Sequence, residues 1–212
     1  MEIEIYSDVV CPWCYIGKRR LERALASYDG TVTVRYRPFQ LDPAPVDEPR
    51  PLTEAMAAKF GGAERTREIF AHTAGVAAEV GLDLRFDRAV TANTFDAHRL
   101  TWYADRRDRA AAVVEALHRA HFTDGLDVGS RDVLATLAGA AGLDPAEVRR
   151  FLDSDDGGTE VRAALSRARE LGVTSVPTFV LAGKYAVTGA QEPETLLAAL
   201  TEVGRRESGS AG

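Results

Sequence analysis

A chain of 212 residues, 45% of them apolar, has material for one sizeable domain, or for one domain with another inserted in it. Its formal net charge of −6, with no Lys/Arg patch interleaved with aromatics, argues against a nucleic-acid partner. No apolar run approaches the length of a membrane span, and MEIEIYSDVV at the start has neither a basic segment nor an apolar stretch of signal-peptide length, so a cytoplasmic protein is expected.

The alternation of Ile3 and Ile5 with charged residues predicts a short strand over about Glu2 to Tyr6. Helical spacing follows from about Cys14. Tyr15, Leu21, Ala24, Leu25 and Tyr28 line one face, Lys18, Arg19, Glu22 and Arg23 the other, and Asp29-Gly30 ends the segment. Thr31 to Arg37 is a β-type run stopped by Pro38, so the first forty residues read as strand–helix–strand. Pro43, Pro45, Pro49 and Pro51 mark a linker.

From Leu52 to about Leu171 the pattern is helical, with five or six helices expected. Asp144-Pro145-Ala146-Glu147 is the clearest start, with Asp144 as N-cap and Glu147 closing a capping box. Gly81-Leu82, Gly142-Leu143 and Gly172-Val173 share one form of stop, a left-handed glycine followed by an apolar residue that folds back. The β pattern then returns in Pro177 to Leu181, a turn at Gly183-Lys184, and Tyr185 to Thr188. Pro193 opens a last helix to about Val203, and Gly204 to Gly212 reads as a disordered tail. Neither β-containing end makes an adequate core alone, so one sheet split by a helical insertion explains the order best.

Only two cysteines are present, Cys11 and Cys14, flanking Pro12-Trp13. Two thiols three apart do not make a secreted disulfide scaffold, and in a reducing compartment they suggest chemistry. Cys11 falls where the helix begins, where free amides and the helix dipole stabilise an anion. Cys14 lies one turn further in, within reach of Cys11 but more covered. Cys11 is therefore assigned as nucleophile and Cys14 as resolving thiol, with Pro12 fitting the first helical turn and Trp13 adding apolar surface. Competing readings are an inert buried pair and a structural zinc site. The latter would need ligands beyond one pair, from among His72, His98, His118 and His121, and no metal is assigned. Far along the chain, Val176-Pro177 heads a strand; its peptide is either an ordinary trans bond or a cis bond that turns the Val176 backbone toward a neighbour.

With Ser7-Asp8-Val9-Val10-Cys11-Pro12-Trp13-Cys14, Asn93-Thr94-Phe95-Asp96-Ala97-His98-Arg99, Val176-Pro177-Thr178 and Gly189-Ala190-Gln191, the chain resembles the DsbA branch of the thioredoxin superfamily, and within it the FrnE-like proteins. The resemblance spans nearly everything but the tail. It implies an α/β, thioredoxin-like fold interrupted by an all-helical insertion. Residues 1–42 and 172–204 would form the thioredoxin-like unit, 43–171 the insertion, and 205–212 the disordered tail. It also implies a cis Val176–Pro177 bond packed against the cysteines, Val176 as the substrate-facing backbone group, and a helical cover around Asn93 to Arg99. Asp8, Asn93, His98 and Gln191 are candidate substrate-facing residues. On packing grounds alone, His98 and Arg99 read as a helix packing residue and a solvated charge.

Two positions depart from better-known relatives. Trp13 stands where DsbA proteins carry a thiolate-stabilising His, and Ile5 where thioredoxins place a buried acid. Proton transfer at Cys14 must then use another group, with Asp8 or water as candidates. The implied activity is thiol–disulfide oxidoreduction or disulfide isomerisation on a protein or peptide substrate. No cofactor is required, and glutathione is a candidate co-substrate. The alternatives are a glutathione-dependent small-molecule transferase or isomerase related to the kappa class, and a metal-binding thiol protein.

Overall fold

The structure is a computed structural model and describes residues 1–209. Strand β1 (Glu2–Ser7) runs into helix α1 (Pro12–Ala26) and then β2 (Thr33–Pro38). A helical block follows: α2 (Leu52–Phe60), α3 (Ala63–Glu79), α4 (Phe95–Asp105), α5 (Ala110–Arg119), α6 (Arg131–Ala140), α7 (Pro145–Asp153) and α8 (Gly158–Glu170). Strands β3 (Thr178–Leu181) and β4 (Tyr185–Thr188) and helix α9 (Pro193–Gly209) complete the chain.

The four strands form one sheet in the order β2-β1-β3-β4. β1 pairs parallel with β2, as a strand–helix–strand crossover requires, and antiparallel with β3, which pairs antiparallel with β4. β1 is central, so Ile3 and Ile5 are buried, joined by Leu21 of α1, Phe179 and Leu181 of β3, and Leu196 and Leu200 of α9. The helical block has its own core around Leu100, Leu117, Leu134 and Leu152, and Val9 of the segment before the cysteines is part of it. A third cluster joins Tyr15 and Ile16 of α1 to Ala77 of α3, Leu82, Phe86 and Phe122. The helical block therefore grips the cysteine motif from both ends.

All three glycine stops are built alike. Gly81, Gly142 and Gly172 have φ of 80°, 85° and 75°. The amides of Leu82, Leu143 and Val173 then donate back to the carbonyls of Ala77, Ala138 and Ala168, each at 3.0 Å. Asp144 caps α7, accepting from the amides of Ala146 and Glu147. Glu147 reaches the Tyr103 hydroxyl (3.4 Å).

Three expectations need correction. The helical block holds seven α-helices, not five or six, because Gly61 and Gly62, both at positive φ, cut a separate helix α2 from α3. α5 also continues into a π-helical turn, Ala120–Asp124. Residues 205–209, read as disordered, are the last turn and a half of α9, whereas 210–212 lie outside the described residues. Gly204 does not stop α9: a Cβ there would meet Tyr28 Oη at 2.6 Å, so the glycine serves close packing. The turns beyond it are held by Arg205 and Arg206 on Glu202 and by Lys184 on Glu207. Lastly, Lys18, expected on the face of α1 opposite the apolar one, is buried and bonded to Glu22 and Glu115, both at 2.6 Å. Helix α5 supplies Glu115 and so converts an outer face of α1 into an interface.

Candidate active site

β1 ends at Ser7, and the chain turns through Asp8 so that the Cys11 amide donates to the Asp8 carbonyl (3.1 Å). Cys11 is the N-cap of α1, with extended φ/ψ of −96° and 113°, and Pro12 occupies the first turn. Cys11 thus sits at the positive end of a 15-residue helix, where an anion is favoured. Exposure separates the thiols little, at 5% for Cys11 and 2% for Cys14. Surroundings separate them more. Burial pushes the Cys14 thiol well up, and the neighbouring Cys11 adds to this; the nearby Asp8 backbone and Ser7 hydroxyl pull the other way. Both cysteines are free thiols, and Trp13 is 37% exposed beside them.

The Val176–Pro177 peptide is cis, and the Cys11 thiol donates to the Val176 carbonyl at 3.7 Å. Two segments 165 residues apart thus meet at the sulfur. Gly17 sets how close they come. A Cβ on Gly17 would lie 2.9 Å from Pro177 Cγ and 3.3 Å from Phe179 Cζ, so no larger residue fits without moving the proline loop. A glycine costs about 1 kcal/mol in a helix interior. That cost is the signal by which Gly17 could have been found. Arg20, one turn on, is buried and donates to the Ala190 carbonyl (2.6 Å), tying the Gly189–Gln191 loop to α1.

The remaining candidates do not all converge on Cys11. Asp8 and His98 are buried, at 0% and 5% exposure, so they lie beneath the motif and not on a substrate-facing surface. Asp8 Oδ2 accepts the Leu41 amide (2.8 Å). His98 Nε2 lies 3.3 Å from Asp8 Oδ1, but its proton goes to the Phe39 carbonyl at 3.0 Å, leaving that oxygen without a donor. Asn93 donates to the carbonyls of Pro43 and Ala44 and accepts from the Phe95 amide, so it anchors the proline linker to the start of α4. Gln191 is exposed and its amide donates to the Thr188 carbonyl (2.8 Å). Arg99 is a buried clamp and not a solvated charge.

Behind the motif lie His118 and His121, both 0% exposed. His118 Nδ1 is 3.1 Å from the Val9 carbonyl and so carries the ring proton, and the ring stacks on Tyr15 with centroids 5.0 Å apart. Neither nitrogen of His121 has a partner, and its ring packs edge-on to Phe122. Burial lowers His118 to about 3, helped by the Lys18 charge, and lowers His121 to about 4 against the opposing pull of Asp8. Both are neutral bases in the folded state, whereas the unfolded chain takes up their protons near 6.5. Stability is therefore complete above that value and falls as pH drops toward about 4, by up to about 1.4 kcal/mol per pH unit for each ring. Because His121 makes no hydrogen bond, His121→Phe is expected to keep the fold at pH 7.5 and to flatten this acid slope. Urea melts at pH 7.5, 6 and 5 check it, and an unchanged slope would refute the assignment. Among the described residues no three of His, Cys, Asp and Glu converge as a metal-binding set.

A vicinal dithiol at a helix N-terminus, faced by a cis-proline loop on a β2-β1-β3-β4 sheet, defines a thioredoxin-fold dithiol protein. Residues 2–201 match the family model of the DSBA-like thioredoxin domain, and the chain belongs to that family. It is similar to a probable DsbA oxidoreductase from Streptomyces coelicolor, with 40% identity and a TM-score of 0.90 over 95% of this chain and 89% of the other. Two more distant structures share the fold. One is the cytosolic disulfide reductase DsbM from Pseudomonas aeruginosa, solved with GSH (21% identity, TM-score 0.68, 97% of this chain and 100% of that one). The other is a 2-hydroxychromene-2-carboxylate isomerase (18% identity, TM-score 0.72, all of both chains).

Proposed function

We propose that this DsbA-like protein is a thiol–disulfide oxidoreductase of the FrnE-like type that works through Cys11 and Cys14 on protein or peptide disulfides. The carrying observation is the meeting of Cys11, at the head of α1, with the Val176 carbonyl at 3.7 Å. A substrate segment laid along that loop would bring its sulfur to Cys11. Cys11 attacks as the thiolate and forms a mixed disulfide. Cys14 then attacks Cys11, releasing the substrate thiolate and leaving the Cys11–Cys14 disulfide. No described helix is long and apolar enough to cross a membrane, which suits the cytoplasmic setting proposed here. In that setting the cycle runs as reduction or isomerisation, with glutathione returning the dithiol. A glutathione-dependent isomerase shares the fold but has no use for Cys14 as a second thiol.

The deciding measurement is the reduction potential of the pair against glutathione. A value near or below the cytosolic glutathione poise, with turnover of a peptide disulfide by the reduced protein, supports the reading. A pair that neither oxidises reversibly nor consumes a disulfide overturns it. A strongly oxidising value reverses the proposed direction.

A further inference from the structure

Arg20 is 6% exposed on α1, the helix that Cys11 caps. Burying a guanidinium is costly unless it is paired and hydrogen-bonded, and here the pairing is incomplete, because its Nε has no partner. The other two nitrogens are spent on one loop. Nη1 donates to the Ala190 carbonyl (2.6 Å) and Nη2 lies 2.7 Å from Glu192 Oε1. The planar fork thus spans two acceptors between β4 and α9.

From Ala190 the path to the reacting sulfur is short. The Gly189 amide donates to the Pro177 carbonyl (2.8 Å). One residue earlier, the Val176 carbonyl accepts from the Cys11 thiol at 3.7 Å. Gly17, one turn before Arg20, admits both partners: a Cβ there would lie 2.9 Å from Pro177 Cγ and 3.5 Å from Ala190 Cβ. α1 therefore holds the Val176 carbonyl on the sulfur by two devices, close packing at Gly17 and the Arg20 fork. The contact has a chemical consequence. A thiol has a proton to give to that carbonyl and a disulfide has none, so a well-made contact favours the reduced pair.

We propose that Arg20 is a positioning residue that sets the dithiol–disulfide equilibrium of Cys11 and Cys14 by fixing the Val176 carbonyl. This rests on the oxidoreductase reading above. In exchange with glutathione disulfide, Cys11 and Cys14 give up two electrons and two protons and an S–S bond forms between them. The S–S bond of glutathione disulfide breaks and two glutathione thiols result. The hydrogen bond from Cys11 to Val176 is lost in that step, and Arg20, by keeping the carbonyl in place, makes the loss count against oxidation.

The test equilibrates the full chain in glutathione redox buffers and reads the reduced fraction by alkylation and mass. Arg20→Met keeps the apolar stem and removes the fork. It is expected to shift the equilibrium constant roughly threefold toward the disulfide, the size of one weak hydrogen bond. Gly17→Ala, which moves Pro177 and leaves Arg20 in place, should shift it the same way. Glu192→Ala removes only a partner whose side chain is 61% accessible, and should leave it unchanged. Arg20→Lys keeps the buried charge but cannot span both acceptors, so a smaller shift in the same direction is expected. It carries the test if Arg20→Met does not fold, and no shift in it then overturns the proposal. An unmoved equilibrium in folded Arg20→Met overturns it, as does an equal shift in Glu192→Ala, which would make the surface ion pair the link. If the unsubstituted protein does not exchange with glutathione at all, the oxidoreductase reading falls and the proposal with it; normal exchange with unmoved variants removes the clamp alone.

Discussion

Cys11→Ser is expected to abolish disulfide exchange, with a loss of about 10³-fold or more, because a serine hydroxyl at the same place is not an anion at neutral pH. Cys14→Ser should behave differently. Cys11 keeps its seat at the N-cap of α1 and its contact with the Val176 carbonyl, so the first attack proceeds, but nothing resolves the adduct. Mixed disulfides with substrate should then accumulate on Cys11, visible as a mass increase that a reductant removes. The asymmetry comes from place more than exposure. Cys11 caps the helix and meets the loop, whereas Cys14 lies buried in the first turn of α1. Equal residual activity in the two variants, or adducts trapped on Cys14 in place of Cys11, would sink the assignment.

What could be read from the sequence was whatever has a local signature. The cysteine pair and Pro12 announce a helix start. The three Gly-apolar stops follow from the left-handed conformation that glycine alone takes freely. The alternation of Ile3 and Ile5 gives a strand, and the return of β pattern after Val176 gives the hairpin. What could not be read depends on partners distant in the chain. Gly17 sits in a helical run and looks like a small defect until Pro177 is packed on it. Gly204 looks like a stop until Tyr28 lies against it. Lys18 and Arg20 have the charge of surface residues, yet Glu115 and the Ala190 carbonyl let them be buried. Asp8 and His98 carry the right chemistry for contact with substrate, but the turn that holds Asp8 and the helix that holds His98 point them inward.

Arg99→Ala should be among the most destabilising single changes in the helical block, at roughly 3 kcal/mol or more. The Arg99 side chain is 3% exposed and bonded throughout. Its Nε donates to the Asp156 carbonyl (3.0 Å), its Nη1 to Asp96 (2.7 Å) and the Leu152 carbonyl (3.2 Å), and its Nη2 to the carbonyls of Phe151, Ser154 and Asp156. All four of these carbonyls end or follow α7, where the helix leaves acceptors without intrahelical donors. The guanidinium closes the turn between α7 and α8 and ties it to α4, on which His98, the neighbour of Asp8, is also carried. Removing it strands several buried acceptors at once, although Asp96 keeps Arg131 at 2.8 Å. Arg99→Lys should recover only part of the loss, because one ammonium cannot match the planar fork that serves carbonyls on both sides. Urea denaturation of the two variants checks this. A cost near zero for Ala, or full recovery by Lys, would mean that the turn holds itself and that Arg99 only fills space.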